Sequence, residues 1–312
     1  MINYDAIIMV TLEKIPLLKN SYSFLKKNLG AQEIYLVANR SLEREIRNVF
    51  GEKMHFIDEE SIMPGLSLQT IREILLQKCG DDHRAGWFYQ QFLKMAYALI
   101  CEKEYYLLWD ADTVPLHKIN YFENGNTPCF VVKKEYYKDY FDTIETLFNG
   151  KVSRLNPEIS YIAENMLICS KYMKKMIAEI MGNFTVEGNA FYEKIVNAIN
   201  PRVVSYTGFS EFETYGNYMD TLYPGIYAHK KLRTQRLGSF LFGTNPSEEQ
   251  LCWAGADYDI ISFEEHGKQW LKYVTKSRMI RKHFDAKRMF DSFIRISNRY
   301  DRICHRPVAE ID

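Results

Sequence analysis

The amino-acid sequence predicts an α/β protein with a Rossmann-type mixed sheet flanked by helices, followed by a basic helical C-terminal segment. Three observations carry that expectation. Short apolar runs (AIIMV at 6–10, EIYLVA at 33–38, YYLLW at 105–109) have the length and composition of strands inside a sheet covered by helices. Stretches of helical character separate them, which is the spacing of a doubly wound sheet. The last run stops abruptly at two acidic residues, Asp110 and Asp112, and the carboxyl edge of such a sheet is where ligands bind.

In chain order, Ala6–Val10 is the first strand, with Thr11 and Lys14 just past its carboxyl end. A helix follows over Leu17–Leu29, closed by Gly30. The second strand ends at Asn39, and Ser41 is placed to cap the next helix. His55–Ile57 is a third, shorter strand running into Asp58-Glu59-Glu60. The segment 86–103, GWFYQQFLKMAYALICEK, is an amphipathic helix. Phe88, Phe92, Met95, Ala96 and Leu99 share one face, with Gln90, Gln91 and Lys94 off it. After the acidic pair come a strand at Thr127–Lys133, a polar helix through Phe148, a strand within Ser160–Ser170, and a helix over Tyr172–Met181.

Composition narrows the function classes. The 312 residues suffice for one large α/β domain plus an appendage, or two modest domains. Aromatics reach 14%, with 22 Tyr and 19 Phe; such rings suit sugar faces, and equally cores that need a polar handle. A net charge of zero favours no particular partner. The cysteines Cys79, Cys101, Cys129, Cys169, Cys252 and Cys304 lack Cys-x-x-Cys spacing, which disfavours a zinc site and a disulfide framework. The start, MINYDAIIMV, has no basic region ahead of an apolar stretch, so no signal peptide is expected. No run approaches the roughly eighteen apolar residues of a membrane span. A cytoplasmic protein is expected.

Two carboxylates one residue apart repel unless a positive charge lies between them, and a divalent cation shared with a diphosphate supplies it. The YYLLWDADTVP stretch resembles the Asp-x-Asp motif of GT-A-type nucleotide-sugar glycosyltransferases. Asp110-Ala111-Asp112-Thr113-Val114 also matches the nucleophile motif of haloacid-dehalogenase-like phosphatases. Order separates the two readings. In the phosphatases the motif strand is normally first in its domain, whereas here about a hundred residues of strand and helix precede it, as in GT-A enzymes. Asp257 and Asp259 match the phosphatase's downstream acidic pair poorly.

The Gly-Trp opening at 86–87, the paired Gln90 and Gln91, Lys94 and the acidic strand end together resemble an uncharacterised bacterial group of GT-A glycosyltransferases associated with capsule and lipopolysaccharide synthesis. The resemblance implies that Gln91 and Lys94 face the nucleotide sugar. It implies that Glu164 and Asn165, just ahead of an apolar run, meet the transferred sugar or the acceptor. It also implies that Asp110 and Asp112 hold Mn²⁺ or Mg²⁺, with a late histidine, His229, completing the shell. Lys231 and Arg233 would hold the diphosphate. Each has a plain alternative: Gln and Lys are good helix formers on a solvated face, and a lone His is commonly a turn residue. His266 and His283 are weaker candidates.

Thr207–Met219, TGFSEFETYGNYM, holds Ser210-x-x-Glu213, a capping box that starts a helix at Glu211. The resemblance places a general base on a carboxylate at such a helix start in inverting enzymes. Glu213 is explained as the box partner, which leaves Glu211 as the base, with Glu213 in reserve; capping alone is the competing explanation. If the reaction retains configuration, Glu164 or Asn165 becomes the residue of interest instead.

The division expected is a catalytic domain over 1–262 and a basic segment over 263–312. Between Lys268 and Arg306, twelve Lys and Arg stand against three Asp. Trp270, Leu271, Val274, Ile280, Phe284, Phe290, Phe293 and Ile294 give these helices an apolar side. That pattern suits an anionic bilayer, where lipid-linked acceptors reside, and equally helices packed on the catalytic domain. A catalytically silent membrane-surface protein is thus a third reading. No nucleic-acid module is present.

Overall fold

The structure, a computed structural model, describes residues 2–264 and 271–303. His266 and Trp270 lie outside the described residues, and Leu271 is described in its backbone only. The elements, in chain order, are β1 (Tyr4–Met9), α1 (Ile15–Asn28), β2 (Ile34–Ala38), α2 (Glu43–Phe50), β3 (His55–Asp58), α3 (Leu68–Cys79), α4 (Ala85–Ile100) and β4 (Tyr105–Trp109). Then come β5 (Thr113–Pro115), β6 (Phe122–Glu123), β7 (Thr127–Val131), α5 (Lys138–Phe148), β8 (Asn165–Cys169), α6 (Ser170–Gly182), α7 (Phe191–Ala198) and α8 (Glu211–Leu222). The rest are β9 (Ala228–Lys230), β10 (Thr234–Gln235), α9 (Gly238–Phe242), α10 (Glu248–Ala254), β11 (Ile260–Ser262), α11 (Leu271–Thr275), α12 (Arg278–His283) and α13 (Ala286–Ile303).

The chain forms two compact units. One comprises Met1–Leu12, Ala31–Ala111 and Asn120–Lys231; the other comprises Glu13–Gly30, Asp112–Ile119 and Leu232–Asp312. The first contains a five-stranded sheet of order β3-β2-β1-β4-β8. Its first four strands are parallel, and β8 runs antiparallel to β4. The expected mixed sheet flanked by helices is therefore what this unit adopts. Strand order reverses between β1 and β4, the topological switch point at which the carboxyl ends of neighbouring strands open a crevice. Tyr106, Leu107, Leu108 and Trp109 of β4 are wholly buried, which is why that run carries no charge until Asp110. A second small sheet, β6-β7-β9, belongs to the same unit.

The other unit is built on the sheet β10-β11-β5. Its apolar core joins Leu17 of α1, Val114, Leu241, Phe242 and Phe263 with Phe290, Phe293 and Ile294 of α13. Much of the apolar side expected of the basic segment is thus spent on packing. Tyr273, Met279 and Phe284 remain exposed.

Local differences from the sequence expectations have physical causes. Helix α1 begins at Ile15, because Pro16 is preorganised for a first helical turn, and it ends at Asn28. Ser41 does not cap a helix: the Asn39 side chain accepts from Ser41 N at 3.1 Å and sets a short 3₁₀ turn, so α2 starts at Glu43. Helix α4 is buried on more than one face, because α3, α6, α8 and β1 all pack on it. Gln91 and Lys94 are therefore only 3% and 5% exposed, which removes the plain alternative of a solvated helix face, while Leu99 at the far end is 42% exposed.

Candidate active site

The first unit brings together residues that the sequence singled out separately. Lys94, on the buried helix α4, donates from Nζ to Asp110 Oδ1 at 2.7 Å and to Glu211 Oε1 at 2.7 Å. Asp110 directly follows β4, and Glu211 opens α8. The ammonium also lies 4.4 Å from the Phe212 ring centroid. Burial alone would lower the Lys94 pKa, but the Asp110 and Glu211 carboxylates outweigh it and hold the ammonium above its ordinary value. A buried cation with two carboxylate partners leaves the cluster one negative charge in excess.

Gln91, one turn before Lys94, accepts the Glu211 backbone N–H at 3.1 Å. The first turn of α8 is thus held by α4 through both main chain and side chain. Across the sheet edge, Asp110 N donates to Glu164 O at 3.0 Å, and the Lys133 ammonium pairs with the Glu164 carboxylate. Asn165 opposes Trp109 in the β4–β8 ladder and accepts from Tyr121 Oη at 2.8 Å. Its buried Nδ2 has no hydrogen-bond partner among the described residues. Gln91, Lys94, Asp110, Glu164 and Glu211 therefore converge at the carboxyl end of β4.

The model of a family described as "Family of unknown function (DUF6492)" matches residues 10–282. The chain belongs to that family. No curated protein matches it in sequence. Solved structures similar to it include mouse xyloside xylosyltransferase 1 in its apo form, at TM-score 0.43 and 11% identity over 85% of this chain and 99% of that one. The bifunctional glycosyltransferase WbbM, also apo, gives TM-score 0.44 and 11% identity over 86% of this chain and 47% of that one. The galactosyltransferase LgtC with donor and acceptor sugar analogues gives 0.42 and 10%, over 90% of this chain and all of that one (100%).

Other expected site residues of this DUF6492 member lie elsewhere. Glu213 does not complete a capping box. Ser210 Oγ accepts from Glu213 N at 3.2 Å, as expected, but the Glu213 carboxylate accepts from Ser160 Oγ at 2.7 Å, Tyr161 N at 2.9 Å and Asn217 Nδ2 at 3.1 Å. Burial pushes its carboxyl pKa up against the pull of those donors. His229, on β9, pairs through Nε2 with Asp220 Oδ2 at 3.0 Å and lies 3.4 Å from Tyr161 Oη. Among the described residues, no three of His, Cys, Asp and Glu are placed to hold a metal ion.

Thr11 is exposed just past β1. Asn39 Nδ2 donates to Glu59 Oε1 at 3.3 Å. Lys231 is exposed. Within the second unit, Lys14 pairs with Asp112 at 3.3 Å and Arg233 with Asp259 at 2.7 Å.

Two charged groups escaped the sequence. Lys133 ends the predicted 127–133 strand, and only the antiparallel return of the chain reveals Glu164 as its partner. Glu59, in the acidic run after β3, has its pKa raised by burial despite the Asn39 hydrogen bond, with Glu60 and Asp58 adding to the shift. That run was visible, but its burial was not.

Proposed function

We propose that the chain is a glycosyltransferase that moves a sugar from a nucleoside-diphosphate sugar to a glycan or lipid-linked acceptor in bacterial surface polysaccharide synthesis. The observation that carries the reading is the Lys94 bridge between Asp110 and Glu211. It joins the acidic strand end to the helix-start carboxylate at the ligand-binding edge of the sheet, and a solvated strand terminus needs no such buried bridge. The order β3-β2-β1-β4, with the acidic pair after the fourth strand, also agrees with the GT-A resemblance and not with a phosphatase whose motif strand comes first. Asp257 and Asp259 are engaged by Lys287 N and Arg233.

The donor set fits a hard divalent ion: two carboxylates one residue apart, with substrate phosphate oxygens and water for the remaining positions. Asp110 and Asp112 would hold Mn²⁺ or Mg²⁺, which when bound would offset the charge that develops on the departing diphosphate. His229 is spoken for by Asp220, so the proposal keeps the two aspartates alone.

In the favoured inverting course, Glu211 takes the proton of the acceptor hydroxyl while that oxygen bonds to the sugar's anomeric carbon. The bond from that carbon to phosphate breaks, and the nucleoside diphosphate carries away the electron pair. Lys94 keeps Asp110 as a counter-ion when Glu211 becomes neutral, so the buried ammonium is never unpaired. Gln91 fixes the helix start, and Lys133 holds Glu164 at the same edge.

The proposed location is the inner face of the cytoplasmic membrane. Exposed Tyr273, Met279 and Phe284 beside the exposed Arg278, Lys282, Lys287 and Arg288 support it. Among the described residues, no helix is long and apolar enough to cross a membrane.

A thermal-shift screen of UDP, GDP, CMP and CDP sugars with Mn²⁺ tests the reading without knowledge of the acceptor. One donor should raise the melting temperature, since ligand at a hundred times Kd adds about 2.7 kcal/mol. Asp112→Ala should remove the Mn²⁺-dependent part. Absence of any shift across the screen contradicts the proposal.

A further inference from the structure

Arg84 stands just before the first turn of α4, and its guanidinium carbon lies 4.0 Å from the Trp87 ring centroid. Positions 84, 87, 91 and 94 are spaced three, four and three apart, which sets Arg84, Trp87, Gln91 and Lys94 along one face of the helix. That face carries a cation at each end. Lys94 reaches Asp110 at the carboxyl end of β4, and Gln91 accepts the Glu211 N–H, so the turns before them project past the sheet edge. Seven steps of about 1.5 Å put Arg84 roughly 10 Å along the helix from Gln91.

The two cations differ in their partners. Lys94 has two carboxylate oxygens, each at 2.7 Å. Arg84 has no such partner: among the described residues its buried Nε has no hydrogen-bond acceptor, and no Asp or Glu acts on its charge. Burial lowers its pKa, and only the Tyr140 phenol opposes that. The stack on Trp87 uses the face of the guanidinium and leaves the donors along its edge, whose planar fork matches two oxygens of a carboxylate or phosphate. Tyr140, on α5, is near enough to both Glu211 and Arg84 for each charge to act on its phenol, so the ring spans the gap between candidate base and guanidinium. A half-buried cation without a counter-ion is costly to the fold, and an anion on its edge offsets that cost.

We propose that Arg84 forms an anion subsite that holds a phosphate or carboxylate group of the acceptor. That the anion belongs to an acceptor rests on the transfer reading; the binding itself does not. The test is saturation-transfer NMR on the full chain without donor and after removal of divalent cations, so that no metal at the aspartates can recruit the probe. Short galacturonate oligomers present a carboxylate, glucose 6-phosphate presents a phosphate, and maltose is the neutral control.

At least one anionic probe should receive saturation and maltose should not. A response to galacturonate alone assigns the subsite to an acidic sugar, one to glucose 6-phosphate alone to a phosphorylated sugar, and one to both to the anionic group itself. Arg84→Gln should weaken binding about tenfold, the equivalent of about 1.4 kcal/mol. Arg84→Lys, which keeps the charge and loses the fork, should weaken it less. Because Arg84 has no acidic partner to lose, Arg84→Gln should leave the urea midpoint unchanged or higher. No saturation of either anionic probe, equal saturation of maltose, an undiminished signal in Arg84→Gln, or a fall in its urea midpoint overturns the inference. Anion binding that Arg84→Gln weakens, with no nucleotide sugar turned over, sinks the transferase reading and leaves the subsite standing.

Discussion

Glu211 and Glu213 lie two residues apart in the first turn of α8, both nearly inaccessible, at 4% and 1% exposure. Their surroundings are opposite. Glu211 accepts from a buried ammonium that also holds Asp110, while the Glu213 carboxylate accepts from the neutral donors of Ser160, Tyr161 and Asn217, with the Arg154 charge acting as a weaker influence. Under the proposed reaction, the difference separates a reactive role from an architectural one. A carboxylate held beside a cation, next to a second carboxylate, is where the proposed reaction puts its base. One held mainly by hydrogen bonds from neutral groups knits α8 to the chain ahead of β8. On the proposed reading, the same helix start presents one acid to chemistry and the other to structure.

The contrast can be broken from either side. Lys94→Met should have the largest effect, because it strands two carboxylates, one of them deeply buried; loss of one partner from such a pair costs about 3–5 kcal/mol. Urea denaturation measures it, and Glu211→Gln in the same background should recover part of the loss. On the other face, Gly216→Ala would put a Cβ 2.1 Å from Tyr161 Cγ. The ring must move, at a cost of about 1–3 kcal/mol. The change should alter the environment of His229 in NMR spectra while leaving Lys94 and its partners in place.

The smallest effect is a pH dependence. The folded-state pKa of Glu213 lies above its ordinary 4.5, so its contribution to stability is complete below that value and lost as pH rises through the raised one. Melting temperature should therefore fall more steeply with rising pH above about 4.5 in the native protein than in Glu213→Gln. Equal slopes would remove the distinction between the two acids.

The sheet was legible because apolar runs of strand length, separated by helical stretches, admit few arrangements. The acidic pair was legible because charge that ends a buried strand marks the sheet edge. Side-chain pairing across long sequence separations was not. Lys94 and Glu211 are 117 positions apart, and periodicity alone put Lys94 off the apolar face, since it sees one face of a helix and not the further neighbours that bury the others. Local logic assigned Glu213 to the capping box, yet a nearer set of donors on Ser160 and Tyr161 claims its carboxylate. His229 was placed by order along the chain, which cannot see Asp220 beside it.

The most direct measurement is donor turnover by Glu211→Gln, using whichever nucleotide sugar stabilises the native protein. The expected result is an undiminished thermal shift with turnover reduced by about 10²–10⁴. Turnover at the native rate by Glu211→Gln would contradict the account.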